Sequence, residues 1–249
     1  MKTNVDGLIL KELNYGENDG IITVLTKEQG IVSCYARGVR NIKHPSFAAT
    51  KQLTFSRLTL YQGKGMYIID EAKTIRSFYN ICSDVEKYAL SQYLCELVIK
   101  TTPENVPSEG QLELLLNCLH LLMEGSKSCE MIKAIFELRL ALISGGMPGV
   151  LFCSECGKYD DDEMFFDYEE NKLYCSECFK GSDTVCRLSS GALRAMRFIL
   201  LSEPKKLFSF TISKASLDQL SECAEKYMTC LVGSKINTLA YYYQIKSLL

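Results

Sequence analysis

Histidine is scarce in this sequence, and the motifs of nucleotide chemistry are missing from it. The 249 residues include two histidines, His44 beside Pro45 in a basic loop and His120 in a leucine-rich helical stretch. Neither stands in a pattern that indicates a nucleophile and its base. No G-x-x-x-x-G-K-[ST] and no G-x-G-x-x-G occurs, so nucleotide hydrolysis and dinucleotide binding have no signature. We therefore expect a protein without catalytic turnover.

Long apolar runs and a secretory leader are also lacking. No stretch of about 18 uncharged apolar residues is present, as a membrane-spanning helix would require. Asp6 falls where a secretory signal would place its apolar segment. Five prolines and 47% hydrophobic content indicate packed, ordered structure. The sequence predicts a soluble, cytoplasmic, globular protein.

Cysteine, in contrast, is abundant, and four of the 12 cysteines form two matched C-x-x-C pairs. Cys153 and Cys156 make the first pair, and Cys175 and Cys178 make the second. Four thiolates at this spacing are typical of a tetrahedral zinc site in which protein fills every position. Such a site leaves no place for water or substrate, so we expect one structural zinc ion.

Other interpretations of these cysteines are weaker. A deaminase zinc site would place a proline before its C-x-x-C, and neither pair has one. Thiol-exchange enzymes usually carry a single C-x-x-C near a βαβ pattern. Cys186 is an alternative ligand, although the set of four is complete without it. The scattered cysteines are interpreted as reduced thiols that pack as small hydrophobic residues.

Charge is distributed unevenly along the chain, although the formal net charge is only −2. Residues 1–80 hold 11 basic and 7 acidic side chains, whereas residues 151–180 hold 3 and 9. No acidic residue occurs from Gln29 to Ile69. A basic block of this kind commonly marks a surface that binds a polyanion. Its members, our candidates for DNA binding, are Arg37, Arg40, Lys43, Lys51, Arg57 and Lys64.

The N-terminal eighty residues have the pattern of a small β-barrel. Short runs rich in β-branched and aromatic residues, separated by turn signals, predict five strands. This number favours a partly open barrel of the OB type, whose exposed strand face and loops bind oligonucleotides. The predicted strands are residues 7–10, 21–26, 31–36, 53–60 and 66–69.

Basic and aromatic residues alternate in this part of the chain. Guanidinium and ammonium groups would contact phosphates and release counterions, so affinity should fall as salt rises. Tyr35, Phe47, Tyr61 and Tyr67 either stack on unpaired bases, at about 1–3 kcal/mol each, or fill the barrel core.

After Ser83 the pattern changes to a helical period, with capping and stop signals that divide it into several helices. The expected fold class is α+β. An OB-type barrel at 1–80 is followed by a helical domain at 81–249, which carries an inserted zinc module at 150–182. Four basic residues of this domain are secondary candidates for contacts with DNA or a partner, namely Arg139, Arg187, Arg194 and Arg197.

Several segments, taken in order, resemble the RecO family of bacterial recombination mediators. The similarity extends from residue 5 to about residue 200 and rests on the order and spacing of the segments together. These are Gly7-Leu8-Ile9-Leu10, Tyr15-Gly16-Glu17-Asn18-Asp19, Ala36-Arg37-Gly38-Val39-Arg40, Phe136-Glu137-Leu138-Arg139-Leu140-Ala141-Leu142 and the first C-x-x-C pair with Gly157.

The resemblance implies a role in DNA repair and recombination. Members of the family bind single- and double-stranded DNA, anneal complementary strands and help to load recombinase onto strands coated with single-strand-binding protein. Their partners are RecR and the acidic C-terminal tail of the single-strand-binding protein. The resemblance also implies association with the bacterial nucleoid during action on DNA.

A second class of function stays open on the residues alone. A zinc-ribbon factor of the transcription or RNA-binding type would also combine a basic barrel with a metal site of four cysteines. The charge of the zinc module decides where nucleic acid should bind in either case. Acidic residues are frequent between Cys156 and Cys175 and would repel phosphates, so we assign nucleic-acid binding to the barrel.

Overall fold

Five strands form the N-terminal part of the computed structural model, which describes residues 2–249: β1 (Lys2–Tyr15), β2 (Asp19–Thr26), β3 (Gly30–Ala36), β4 (Thr54–Gln62) and β5 (Tyr67–Ser77). They close into a barrel in the order β1-β2-β3-β5-β4, with β4 paired back to β1. Neighbouring strands are antiparallel except β3 and β5, which pair in parallel. The predicted five-stranded barrel of the OB type is confirmed.

Strand β1 is longer than its hydrophobic pattern predicted because it pairs with two neighbours. Residues 2–8 pair with β4, and residues 7–15 pair with β2. The register shifts between Ile9 and Lys11, which bends the strand as a β-bulge does. Strand β5 likewise continues to Ser77 against β4. Exposed residues dominate these extensions, so an apolar pattern could not reveal them.

The barrel core contains apolar side chains from every strand. Ile9, Ile22, Cys34, Leu58 and Ile69 come from β1 to β5 in turn, and each is at most 8% exposed. Burial alternates along β4, as expected for a strand with one face inward. The inward face is therefore closed to ligands, and binding is left to the outer face and the loops.

Six α-helices follow within residues 2–249: α1 (Val85–Thr101), α2 (Glu109–Glu124), α3 (Cys129–Ile143), α4 (Ser190–Leu201), α5 (Lys214–Val232) and α6 (Asn237–Lys246). Short 3₁₀ turns lie at Ala48–Thr50, Tyr79–Ser83 and Pro204–Lys206. Side-chain oxygens cap four of the helices by accepting a backbone N–H of the first turn. These caps are Asp84, Ser128, Ser189 and Ser213.

Residues 2–124 and 237–249 together form one compact unit, and residues 125–236 form a second. In the first unit, α6 packs on α1. Glu96 accepts hydrogen bonds from the hydroxyl (2.6 Å) and the N–H (3.0 Å) of Thr238, and Tyr242 is 1% exposed. The last helix is therefore fixed by polar contacts at its start and by an aromatic side chain further along.

The turn between β2 and β3 also contacts the segment between α1 and α2. The carbonyls of Lys27 and Gln29 accept the N–H groups of Ser108 (2.8 Å) and Asn105 (2.9 Å). Gly30 has a φ of +62°, and a Cβ atom there would meet the carbonyl oxygen of Pro103 at 2.4 Å. This close approach of two backbones requires glycine.

The second unit combines α3, α4 and α5 with a small antiparallel sheet. Its strands are β6 (Glu163–Asp167), β7 (Lys172–Cys175) and β8 (Val185–Ser189), in the order β7-β6-β8. Between α3 and α5, the ammonium of Lys133 is buried and pairs with Glu137 (2.9 Å) and Glu225 (2.6 Å). A buried lysine is tolerated here because two carboxylates face it.

No helix among residues 2–249 combines the length and the apolar character that crossing a membrane requires.

Candidate metal centre and nucleic-acid surface

The four cysteines of the two C-x-x-C pairs converge in the second unit. Their Sγ atoms all lie within 4.8 Å of one another. The Sγ atoms of Cys156 and Cys175 are 3.7 Å apart, close to the ~3.8 Å edge of a tetrahedron built with zinc–sulfur bonds of about 2.3 Å. The chain thus brings together the predicted ligands in a geometry that can hold one metal ion.

Local backbone structure positions both pairs. Cys175 ends β7, while Cys153 precedes a tight turn in which Gly157 has a φ of +75°. The N–H of Ser154 donates to the carbonyl of Leu173 (2.7 Å), which ties the first pair to β7. The backbone around Cys153 and the end of β7 therefore bring the two pairs together.

The surroundings of Cys153 favour a thiolate. Burial raises the pKa of this thiol, but backbone N–H groups of Cys156, Cys175 and Glu155 outweigh that effect and bring the pKa down to about 6. N–H groups aimed at sulfur stabilise negative charge, and the thiolate is the form that binds metal. The donor set therefore suits a soft or borderline cation such as zinc.

Cys186, the alternative ligand, lies outside the cluster. It is in β8 opposite Phe166 of β6, and its thiol contacts that of Cys223 on α5. The structure therefore leaves Cys186 as a packing residue, 5% exposed.

Two aspartates of the acidic segment form hydrogen bonds within the four-cysteine module, which the sequence predicts at 150–182. Asp161 accepts the N–H (3.2 Å) and hydroxyl (2.7 Å) of Ser176, and these bonds lower the pKa of its carboxyl to about 2. Asp167 is 4% exposed and accepts from the hydroxyls of Ser182 and Thr184. Both carboxylates belong to the acidic segment that was predicted to repel DNA. They form hydrogen bonds within the module instead of facing solvent alone.

In the barrel, the six basic candidates fall into different environments. Lys51 pairs with Glu12 at 2.6 Å, and Arg57 makes two 2.8 Å bonds to Asp6. Arg40 is exposed, but its guanidinium donates to the carbonyls of Gly16 (3.1 Å) and Glu17 (2.9 Å). Lys51 and Arg57 are consequently neutralised, whereas Arg40 fixes the turn between β1 and β2.

Arg37, Lys43 and Lys64 are exposed and form no salt bridge with any of residues 2–249. Arg37 directly follows β3, and Lys43 lies in the irregular segment that continues from it. Lys64 occupies the turn between β4 and β5. These are the charges of the basic block that remain available for phosphate.

Tyrosines lie beside these charges. The rings of Tyr15 and Tyr35 meet edge to face at 5.9 Å, and Tyr15 is 55% exposed. The Tyr35 hydroxyl donates to Asp19, which also accepts the N–H of Gly38 at 2.8 Å. Tyr35, Arg37 and Tyr61 line one cavity of the barrel. The sequence pattern missed Tyr15, which lies at the end of β1, and its position before the Gly16 turn was the only signal.

The other two predicted aromatic residues have different surroundings. Tyr67 packs against the barrel core. The ammonium of Lys51 lies over the ring of Phe47, 4.4 Å from the ring centre, in a cation–π contact. Of the four aromatic candidates, Tyr35 and Tyr61 therefore lie best for contact with a ligand.

In the second unit, two of the secondary arginines have structural roles. Arg197 is 3% exposed and donates to the carbonyls of Val150, Leu151 and Tyr159. Burial lowers the pKa of its guanidinium. Arg139 donates to the carbonyls of Ile199 and Leu200 at the C-terminal end of α4 (3.0 and 3.1 Å).

Arg187 and Arg194 are exposed, and each pairs with an acidic residue, Glu163 and Asp160 respectively. Arg194 also borders a cleft of about 520 Å³. Phe198 and Leu201 supply its apolar lining, and Lys206, which pairs with Glu203 at 3.4 Å, also lines it. This cleft therefore combines apolar side chains with basic residues that have acidic partners.

The two histidines take part in hydrogen bonds. Nδ1 of His44 accepts the N–H of Ser46 at 3.1 Å, in the segment after β3. His120 lies on α2 between Arg76 (2.8 Å) and Glu124 (3.0 Å). Both have the partners of ordinary surface imidazoles.

Comparison with known proteins places these features in a family context. Residues 1–78 match the family model described as Recombination protein O N terminal, and residues 82–240 match Recombination protein O C terminal. A protein named DNA repair protein RecO from Acetivibrio thermocellus is 35% identical over 222 residues, which cover 89% of this chain and 88% of the relative. The protein of the same name from Caldicellulosiruptor saccharolyticus is 28% identical over 240 residues, covering 96% and 97%.

Proposed function

Since this chain belongs to the RecO family of DNA repair proteins, we propose that it is a recombination mediator. It binds single- and double-stranded DNA, anneals complementary strands and helps to load recombinase onto strands coated with single-strand-binding protein. It does so by binding and release, without catalytic turnover. Its place of action is the cytoplasm, at the nucleoid.

The observation that carries this proposal is the set of exposed basic residues on the barrel that form no salt bridge within residues 2–249. Arg37, Lys43 and Lys64 are exposed and lie outside the salt bridges that neutralise Lys51 and Arg57. Arg40 adds a fourth positive charge at the turn that follows Tyr15, where it donates to the carbonyl of Gly16. Phosphates of a single strand would bind these groups and release their condensed counterions, while unpaired bases would stack on tyrosine rings.

Annealing follows physically from the same arrangement. Two DNA strands repel each other through their phosphates, and a protein that neutralises some phosphates lowers this repulsion. Stacking on tyrosine is weak, about 1–3 kcal/mol per base. Bases held so weakly can leave the protein to pair with a complementary strand.

The metal in the four-cysteine cluster is proposed to be a single zinc ion. Held by Cys153, Cys156, Cys175 and Cys178, it would supply a structural cross-link and no open coordination position. The sulfur-only donor set and the near-tetrahedral Cys156–Cys175 separation support this assignment. The protein then uses the metal to fold the module that β6, β7 and β8 form.

Two protein partners are proposed, RecR and the acidic tail of single-strand-binding protein. For the tail, the cleft bordered by Arg194, Phe198, Leu201 and Lys206 places basic groups beside apolar side chains. Carboxylates of the tail would replace Asp160 and Glu203 as the partners of these two basic residues. Lys206→Ala should weaken binding of a fluorescent tail peptide, whereas Lys180→Ala, a matched change outside this cleft, should not. Equal binding by both variants would remove this cleft from the proposal. RecR binding is tested by co-elution of the two purified proteins.

The function is tested by annealing complementary oligonucleotides coated with single-strand-binding protein. We expect the folded, zinc-loaded protein to accelerate duplex formation, with DNA affinity that falls as salt rises. Failure to anneal, together with tight, salt-dependent binding of RNA, would favour an RNA-binding zinc-ribbon factor instead.

A further inference from the structure

One cavity of the barrel lies on its outer face, beside the basic residues. It measures about 430 Å³ and is bounded by the ends of β3, β4 and β5 and by the segment that follows β3. Its lining includes Tyr35, Arg37, His44, Tyr61, Ile68 and Asp70.

Strand register explains why two tyrosines flank this cavity. Ile68 of β5 is opposite Tyr35 of β3 on one side and opposite Tyr61 of β4 on the other. Residues that are partners in a ladder share a face of the sheet, and the core residues Cys34 and Leu60 next to the tyrosines point inward. Tyr35, Ile68 and Tyr61 therefore form one outward row, two half-buried rings with an aliphatic residue between them.

The opening of the cavity results from the short pairing of β3 with β5. Only Cys34–Tyr67 and Tyr35–Ile68 pair in this ladder. Beyond Ala36 the chain leaves the barrel and crosses back, and Ser46 there accepts the N–H of Ala72 at 3.1 Å. The cavity lies where the strand has ended and this segment replaces it.

Polar groups of three kinds line the cavity. Arg37 offers a guanidinium at the exit of β3. Because Nδ1 of His44 accepts the N–H of Ser46 (3.1 Å), a neutral His44 carries its proton on Nε2. Asp70 presents a carboxylate that also binds Lys2 at 2.5 Å. The lining thus combines aromatic surfaces, a hydrogen-bond donor, an acceptor and a cation.

We propose that this cavity is a binding site for one unpaired nucleobase of a single strand, flanked by Tyr35 and Tyr61, with the adjoining phosphate on Arg37. A base edge carries both acceptors and donors, which His44 and Asp70 complement. A paired base cannot enter, because its edge and both its faces are occupied in the duplex. The cavity therefore distinguishes single-stranded from double-stranded DNA, and the inference rests on the proposed DNA binding by the barrel.

The first test compares an oligothymidine with an abasic strand of the same length and charge. Fluorescence anisotropy at fixed salt should give about tenfold tighter binding to the strand with bases, as one stacked base at about 1–3 kcal/mol implies. Tyr61→Leu should abolish most of that preference without changing affinity for the abasic strand. Tyr79→Leu, which alters an exposed tyrosine outside the cavity, should behave like the wild type.

A second measurement separates a cavity from an open stacking surface. A single 2-aminopurine in the strand should be protected from acrylamide quenching by wild type, and His44→Ala should reduce the protection. His120→Ala is the matched control.

Each result decides the inference. Equal affinity of wild type for the two strands overturns the base site and leaves the proposed phosphate binding intact. If wild type binds neither strand, both the proposed function and the base site are overturned. A third outcome is a preference for the strand with bases that persists in Tyr61→Leu, with 2-aminopurine fully accessible to acrylamide. This result would mean that bases stack on the open surface, and it would reject the cavity as the base site.

Discussion

Arg37 and Arg57 have the same charge, but their surroundings give them different roles. The guanidinium of Arg57 makes two 2.8 Å bonds to Asp6, so much of its charge is already neutralised. Arg37 has no such salt bridge among residues 2–249 and follows directly after β3. The basic block was visible in the sequence, whereas the division into paired and available charges depends on which acidic residues the strands bring opposite.

This difference predicts the effect of charge removal. Arg37→Ala combined with Lys43→Ala should weaken single-stranded DNA binding and reduce the slope of log affinity against log salt by about 1.4, at roughly 0.7 for each lost phosphate contact. Lys51→Ala combined with Arg57→Ala removes the same formal charge and should leave the slope nearly unchanged. A salt titration by fluorescence anisotropy measures both pairs, and equal slopes for the two would contradict this assignment.

Glycine substitutions test the contact between the barrel and the segment after α1. Gly16 and Gly30 both have a φ near +60°, but a Cβ on Gly16 meets no atom within 4 Å, whereas one on Gly30 meets Pro103 at 2.4 Å. Gly16→Ala should cost about 1 kcal/mol for the left-handed backbone. Gly30→Ala should lower the free energy of unfolding by clearly more in urea titrations. Equal decreases in the free energy of unfolding for the two variants would show that the close approach of Gly30 to Pro103 does not add to the cost of the substitution.

At the scale of elements, the four-cysteine module shows what local sequence patterns predict and what they do not. The two C-x-x-C pairs identified the cysteines that converge, because the spacing of metal ligands is local. The paired residues of β6 and β8 are 18 or more positions apart in the sequence, and no short pattern encodes that pairing. Arg197, predicted as a surface contact candidate, instead connects α4 to the loop before the first cysteine pair through three carbonyls.

Loss of a zinc ligand should destabilise the second unit. Cys153→Ser leaves three thiolates, so bound zinc should fall below the one ion per chain expected of wild type, and the unfolding temperature should drop, because metal-binding energy is folding energy. Cys82→Ser, which changes an exposed cysteine outside the cluster, is the control. Metal analysis and thermal unfolding provide the readouts. Wild type that is stable and metal-free would refute the site.

The start of α6 should respond to pH through Glu96. Burial raises the pKa of this carboxyl, but the hydroxyl and N–H of Thr238 offset burial and leave the pKa below its usual range. A carboxyl with a lowered folded pKa stabilises the fold above its unfolded pKa of about 4.3, and this contribution is lost as pH falls through the folded value. Glu96→Gln should therefore lower stability at pH 7 and flatten its decline in acid. An unchanged acid profile in urea titrations would contradict this role.

At the scale of the whole molecule, the order of segments could be predicted and the spatial grouping could not. Five strands, several helices and a four-cysteine module follow from local periodicity and spacing. The return of α6 to the unit that contains the barrel depends on Glu96 and Tyr242, contacts between residues 140 or more positions apart. Long-range contacts of this kind leave no signal in a single sequence.

We propose that in this member of the RecO family the available charges on the barrel bring two DNA strands together. The most direct measurement is the rate at which the protein anneals complementary strands coated with single-strand-binding protein. We expect Arg37→Ala with Lys43→Ala to slow annealing severalfold, and Lys51→Ala with Arg57→Ala to anneal at the wild-type rate. Equal rates for both variants, or no annealing by folded, zinc-loaded wild type, would contradict the claim.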